Sequence, residues 1–141
     1  MKKQMSDSPT LAVFLTLAGG FQDAYSYNCR GQVFANAQTG NIVLLGQNLA
    51  TGHPGRALHY LFPLLAFMLG VYLAELVCRR YQNSTRIHWR QTILLAEIVL
   101  LVIAGLLPQS LSVAANVLLS FACAMQVNAF RLDRRIDVTG L

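Results

Sequence analysis

The sequence predicts an all-α membrane protein: a polytopic transmembrane helical bundle of four spanning helices plus one short discontinuous or re-entrant helix. Three observations favour this class. Hydrophobic residues make up 55% of the 141 residues and charged residues only 12%, whereas soluble domains carry about 25% charged residues. Four apolar stretches are long enough to span a bilayer. Most Lys and Arg residues lie between or outside those stretches, where topology determinants are found.

The four predicted spanning helices have similar lengths. They run over residues 9–27, 58–78, 91–107 and 111–130. At a rise of 1.5 Å per residue they reach about 26 to 32 Å, which is close to the thickness of the hydrocarbon core. The link between the last two contains only Pro108, Gln109 and Ser110, so these helices are expected to form an antiparallel hairpin.

A different kind of stretch, residues 33–50, separates the first two spans. Its apolar helical part, residues 42–50, reaches only roughly 14 Å, about half of the bilayer. A polar segment that includes a glycine precedes it, and this pattern is typical of a discontinuous or re-entrant helix. The polar residues and the glycine of that segment are Asn36, Gln38, Thr39, Gly40 and Asn41.

Charge distribution tests this topology. With a re-entrant segment and a cytoplasmic N-terminus, nine of the eleven Lys and Arg residues lie inside, and only Arg30 and Arg56 lie outside, as the positive-inside rule requires. A spanning segment with an external N-terminus places eight inside and three outside, so that topology stays open. The preferred topology divides the chain into a cytoplasmic tail (1–8), a transmembrane domain (9–130) and a short charged tail (131–141).

A weak internal repeat relates the first and last spanning helices. Residues 20–25 align with residues 125–130, and Asp23 then stands opposite Asn128. In the re-entrant topology the two copies are inverted, as in many transporters that bind substrate at the repeat interface. Residues 131–141 would then be a truncated second repeat.

Asp23 and Glu97 are carboxylates inside predicted spanning helices, where such groups face a partner or a water-filled cavity. Asp23 is either a proton or cation site, or it bonds a neighbouring helix end and only holds the fold. Its helical face also carries Thr16, Gly20 and Tyr27. Glu97 either lines a polar interior or reaches back to Arg90.

The start of the short helix is a second candidate site. Thr39 or Asn41 would be its N-cap, and Gly40 would permit a sharp turn. A helix N-terminus within the membrane offers free N–H groups and the positive end of the dipole. It would bind either an anionic substrate group or the Asp23 carboxylate.

Small residues occur at helical spacing in two spans. The set Ala66, Gly70 and Ala74 favours close helix packing. The last span carries a stripe of small and polar residues that either packs or lines a cavity. The residues of that stripe are Ser112, Asn116, Ser120, Ala124 and Asn128.

Several classes of function are not expected. The three histidines and three cysteines lack the spacing of a metal site or a disulfide framework. No nucleotide-binding glycine motif and no Ser-His-Asp set is present, so neither a cofactor nor an enzymatic activity is predicted. Basic residues do not alternate with aromatic ones, which argues against nucleic-acid binding.

Two motifs resemble the signatures of the YoaK family, a group of bacterial inner-membrane proteins without an established function. The first is GFQDAYSY at 20–27 followed by VFANAQTGN at 33–41, and the second is MQVNAFR at 125–131. The resemblance implies a helical fold and a multi-pass protein of the inner membrane, but no substrate. Family members are longer, whereas this chain stops at Leu141 after a charged segment, so a C-terminally truncated member is expected.

The predicted function is small-molecule transport, by this chain or by a longer protein of which it is a fragment, with a polar site at the broken helix. The expected substrate- or ion-binding residues are Asp23, Asn36, Gln38, Thr39, Gly40, Asn41, Gln126, Asn128 and Glu97. The expected partners are the lipid bilayer and an unknown small molecule or ion, with a homodimer as an open option. The alternative is a non-transporting membrane scaffold or accessory subunit.

Overall fold

The computed structural model describes residues 9–81 and 89–131, and this part of the chain is all-α, without a strand. Its helices are α1 (Pro9–Cys29), α2 (Gln38–Ala50), α3 (Pro54–Tyr81), α4 (Trp89–Leu106) and α5 (Ser112–Arg131), with a 3-10 turn at Gln109–Leu111. The predicted tail 1–8, the counterpart of the repeat after residue 131 and the basic residue Arg86 lie outside the described residues. The all-α prediction is therefore confirmed for the described ranges.

Each predicted span coincides with a helix, although the bounds differ. Helix α3 begins at Pro54, four residues before the predicted start. The stretches Pro54–Arg80 and Gln109–Asn128 are long and apolar enough to cross a membrane, whereas the apolar part of α4, Gln91–Leu106, is shorter.

Helix α5 lies at the centre of the described bundle and packs against both α3 and α4. Its contact with α3 depends on Gly70, because a Cβ atom there would lie 2.7 Å from the Phe121 carbonyl oxygen and 2.8 Å from the Ala124 Cβ. Ala66 and Ala74 are buried on the same face of α3. Small residues thus let the two helix backbones approach closely.

The distribution of polarity is the reverse of that in a soluble protein. Asn41, Asn116 and Ser120 are completely buried, whereas Phe21 is 74% exposed and Leu106 80% exposed. A soluble protein rarely leaves so much large apolar surface in water. Helices that pack through small and polar residues and present large apolar side chains outward are typical of membrane bundles.

The segment between α1 and α2 runs back along α1. At one end of the bundle, the ring nitrogen Nε2 of His59, in the second turn of α3, donates to the carbonyl of Gly31 at 3.2 Å. Five residues later Asn36 lies beside Gly19, near the middle of α1, where a Cβ atom on Gly19 would be 2.8 Å from Asn36 Nδ2. An extended chain covers the required distance of about 15 Å in five residues.

Helix α2 then returns to the end of the bundle where α1 finishes. Thr51, directly after α2, lines the same cavity as Gly31 and His59. The 13 residues of α2 are about 20 Å long, too short for the hydrocarbon core. Between α1 and α3 the chain therefore turns back into the bundle and returns to the end from which it started.

A buried arginine closes that end of the bundle. Arg30 is only 2% exposed, and its guanidinium donates to the carbonyls of Ala104 at 3.0 Å and Pro108 at 3.2 Å. Its Nε donates to the Tyr25 hydroxyl at 2.9 Å. Because the last carbonyls of a helix lack intrahelical partners and carry partial negative charge, they compensate the buried positive charge. The sequence predicts Arg30 only as an external loop charge, whereas here it joins α1 to α4.

Candidate functional site

Asp23 binds the main chain just before α2. Its Oδ1 accepts the N–H of Asn36 at 2.7 Å and that of Ala37 at 3.3 Å. Ala37 occupies the N-cap position and has no side chain that could cap the helix. The carboxylate of α1 therefore accepts the N–H groups of the two residues before α2 and places negative charge near the start of that helix. This contact is the one expected if Asp23 only holds the fold. A role of Asp23 in binding an ion stays a prediction.

Asn41 connects α2 to the extended segment before it. This residue is completely buried. Its Oδ1 accepts the N–H of Phe34 at 2.9 Å, while its Nδ2 donates to the Phe34 carbonyl at 2.7 Å and to Gln38 Oε1 at 2.9 Å. The amide thus satisfies both main-chain groups of a residue that has no helical partner, which a buried segment requires.

Two further bonds complete this arrangement. The hydroxyl of Ser26 accepts the N–H of Ala35 at 3.1 Å, and Gln38 Nε2 donates to the Ala35 carbonyl at 2.8 Å. We call residues 33–37, which precede α2, the break. Side chains of α1 and α2 therefore provide the hydrogen bonds that these residues would otherwise make within a helix.

The prediction that Thr39 or Asn41 is the N-cap is wrong. Helix α2 begins at Gln38 with Ala37 as its N-cap residue, so both residues lie inside the helix. Gly40 is needed for packing rather than for a turn: a Cβ atom there would be 2.7 Å from the Phe34 ring. Phe34 in turn stacks on Tyr27 at a centroid distance of 4.8 Å.

A cavity of about 310 Å³ brings together two predicted site residues. Asn36 from the break and Gln126 from α5 line it together with Thr16 of α1. Asn128 does not line this cavity; its Nδ2 donates to the Val71 carbonyl at 3.1 Å and thereby links α5 to α3. Of the two proposed partners on α5, only Gln126 therefore shares a cavity with the break.

Glu97 belongs to a buried polar contact between three helices, which we call the interior cluster (Gln22, Glu97 and Cys123). Glu97 lies near the middle of α4 and is 3% exposed. Its carboxyl group is hydrogen-bonded to the Gln22 side chain of α1. The Cys123 thiol of α5 donates to Gln22 Oε1 at 2.6 Å.

The interior cluster has unused hydrogen-bonding capacity. Glu97 Oε2 has no partner among the described residues, and neither have Ser120 Oγ and Asn116 Oδ1, which lie one and two turns from Cys123 on α5. Within the described ranges, Glu97 also forms no ion pair. The side chain of Arg90, its alternative partner, lies outside the described residues.

Sequence reasoning missed the buried face of α1. The expected face contained Thr16 and Asp23, but Thr16 is exposed. The residues of α1 that are buried are Gly19, Gln22 and Ser26. Their spacing of i, i+3 and i+7 is that of one helical face, and an amide and a hydroxyl at that spacing were a signal for an interior polar contact.

An outer surface of large apolar residues around buried amides and a carboxylate defines a helical membrane protein. The chain belongs to the family described as Protein of unknown function (DUF1275), whose pattern matches residues 11–139. It is 30% identical over 121 residues to the UPF0700 transmembrane protein YoaK of Bacillus subtilis (strain 168). The resemblance to the YoaK family is confirmed.

That alignment covers 86% of this chain but 46% of the relative. The chain therefore spans less than half the length of the relative that it matches. No solved structure matches it.

Proposed function

We propose that the chain is a multi-pass protein of the bacterial inner membrane, with α1, α3, α4 and α5 spanning and α2 re-entrant. The 21 residues of α1 and the 18 of α4 correspond to about 32 and 27 Å, which is close to the hydrocarbon thickness. The path of α2 supports this topology, because both of its connections lead to one end of the bundle. In this topology the charge distribution supports a cytoplasmic N-terminus.

Within that membrane we propose small-molecule transport, by this chain or by the longer protein of which it is a part. The observation that carries the proposal is Glu97, a carboxyl group buried near the middle of a spanning helix without an ion pair among the described residues. Such a group costs several kcal/mol in a membrane and usually marks a path for ions, protons or substrate.

The break before α2 supplies the second part of the proposal. It lies near the middle of α1, which in the proposed topology is close to the bilayer midplane, where transporters with discontinuous helices bind substrate. Asn36 and Gln126 would contact the solute in the cavity that they share. Asp23 would keep the segment before α2 in place through its bonds to Asn36 and Ala37. Glu97, rather than Asp23, would be the group that couples transport to the movement of an ion or a proton.

A membrane scaffold remains the second candidate, and one observation favours it. Asp23, Asn41 and Asn128 all use their side chains in bonds to the main chain of the same molecule. A protein whose polar residues serve only its own packing needs no solute. A defined partner that co-purifies, together with an absence of flux, would support this function.

The experiment is uptake of a bacterial metabolite extract by liposomes that contain the purified chain, followed by mass spectrometry of their contents. Transport predicts that at least one solute is enriched over protein-free liposomes, and that Glu97→Gln abolishes this enrichment. Glu75→Gln is the matched control, because Glu75 pairs with Arg79 on the same helix near the end of the bundle. Liposomes in which no solute is enriched would contradict transport.

A further inference from the structure

A second cavity lies at the end of the bundle where α1 and α2 finish and α3 begins. We call it the end cavity. Its volume is about 580 Å³, and its polar lining includes Gln47, Asn48, His53, Arg56, His59 and Tyr60. It contains none of the predicted site residues, and it is within the range of roughly 300 to 1,000 Å³ that small-molecule sites occupy.

The charge of the end cavity is positive. Arg56 lines it, and no Asp or Glu does. The one ion pair in the described part of the chain joins Glu75 to Arg79, and neither of these residues lines the end cavity. The Arg56 guanidinium therefore has no negative partner among the described residues, and an arginine in a cavity without a carboxylate suits an anionic ligand.

Neutral hydrogen-bond donors line the same cavity as Arg56. The amide of Gln47 and the hydroxyl of Tyr60 line the same cavity, and neither side chain hydrogen-bonds any other described residue. The main-chain N–H groups of Arg56 and Ala57 are already occupied, since both donate to the His53 carbonyl at 3.1 Å. Recognition at this site would therefore depend on side chains rather than on the start of α3.

Internal bonds hold the walls of the end cavity in place. The His59 ring donates to the Gly31 carbonyl and ties α3 to the end of α1. His53 Nδ1 lies 3.1 Å from the Thr51 hydroxyl, which itself donates to the Gln47 carbonyl at 2.9 Å and so ties the loop to α2. A cavity with walls already fixed loses less entropy when a ligand binds.

We propose that the end cavity binds a phosphate group. A guanidinium, an amide and a hydroxyl that line one cavity match the several acceptor oxygens of phosphate. The cavity has room for more than the phosphate itself, so the group would belong to a soluble phosphate ester or to the headgroup of an anionic lipid. The proposal concerns binding and does not depend on transport.

The test is equilibrium dialysis of radiolabelled inorganic phosphate against the full chain in phosphate-free maltoside detergent, followed by titration with short-chain phosphatidylglycerol. We expect saturable binding of at least one probe, weakened about tenfold or more by Arg56→Gln, which corresponds to about 1.4 kcal/mol. Arg80→Gln, an exposed arginine near the other end of α3, is the matched control and should leave binding unchanged.

The two probes distinguish the source of the phosphate. Binding of inorganic phosphate that requires Arg56 supports a soluble ligand, whereas binding of phosphatidylglycerol alone, with the same requirement, supports a lipid headgroup. Tyr60→Phe provides a second variant that keeps the ring and removes only the hydroxyl. The proposal is overturned if neither probe binds, or if Arg56→Gln and Arg80→Gln have equal effects on both.

Discussion

Asp23 Oδ1 accepts the main-chain N–H of Asn36 at 2.7 Å, thirteen residues further along the chain. This bond joins the C-terminal half of α1 to the segment that precedes α2. Together with the bond to the Ala37 N–H, it satisfies two main-chain donors that have no partner in a helix. Asp23, for which the sequence leaves an ion site and a structural role open, therefore positions the segment before α2.

Asp23→Ala tests this role. The substitution removes the acceptor of two N–H groups, so we expect the free energy of unfolding to fall by about 1–3 kcal/mol. Asp23→Asn keeps one acceptor oxygen and should cost less. The measurement is a denaturant titration in mixed micelles, followed by circular dichroism.

Asn28→Ala is the control, because the Asn28 amide donates only to the Ala24 carbonyl of its own helix. It should change stability by no more than about 0.5 kcal/mol. Equal effects of Asp23→Ala and Asn28→Ala would show that the bond to Asn36 contributes nothing.

Gly70→Ala tests the contact between α3 and α5. Its new methyl group would lie 2.7 Å from the Phe121 carbonyl oxygen, so the helices must separate, and we expect a loss of about 1–3 kcal/mol. Gly46→Ala in α2 is the matched control, since nothing lies within 4 Å of that position. It should be neutral or stabilising by up to about 1 kcal/mol, because alanine favours the helix. Thermal unfolding of both variants in detergent gives the comparison, and equal midpoints would contradict the packing account.

Arg30→Met tests whether the Arg30 guanidinium holds the end of α4 against the end of α1. Methionine retains part of the volume but leaves the carbonyls of Ala104 and Pro108 without their donor, so we expect a loss of at least about 2 kcal/mol. Arg80→Met, at an exposed position, should have little effect. Limited proteolysis reports the result, with faster cleavage between α4 and α5 expected in Arg30→Met alone. Identical cleavage rates would mean that Arg30 does not hold α4.

The helices themselves could be predicted, because the length of an apolar run decides whether a segment can form a helix across a bilayer. The start of α2 could not. Gln38 to Asn41 is polar and includes a glycine, which locally favours a turn, but this segment is helical. Side-chain bonds from Gln38 to Ala35 and from Asn41 to Phe34 hold it against the residues before it, and Asp23 of α1 binds Asn36 and Ala37. The local pattern identifies none of these partners.

The candidate site was predictable only in part for the same reason. The polar character of the break is evident from Asn36 and its neighbours, and its proximity to Gln126 follows the expected pairing of the first and last helices. The partners of Arg30 and Glu97 are different: Arg30 bonds a carbonyl 74 residues away, and Glu97 meets Gln22 across the bundle. A charged residue within or beside an apolar run indicates that a partner is needed, but it does not identify the partner.

The most direct test of the central claim is solute uptake per folded molecule, measured in liposomes for the unsubstituted chain and for Glu97→Gln. Glutamine is nearly isosteric and keeps a hydrogen bond with Gln22 available, so the amount of folded protein should not change. Our account predicts that Glu97→Gln retains its stability and loses uptake. Uptake by Glu97→Gln at the unsubstituted rate would contradict it, because the buried carboxyl group would then have no part in transport.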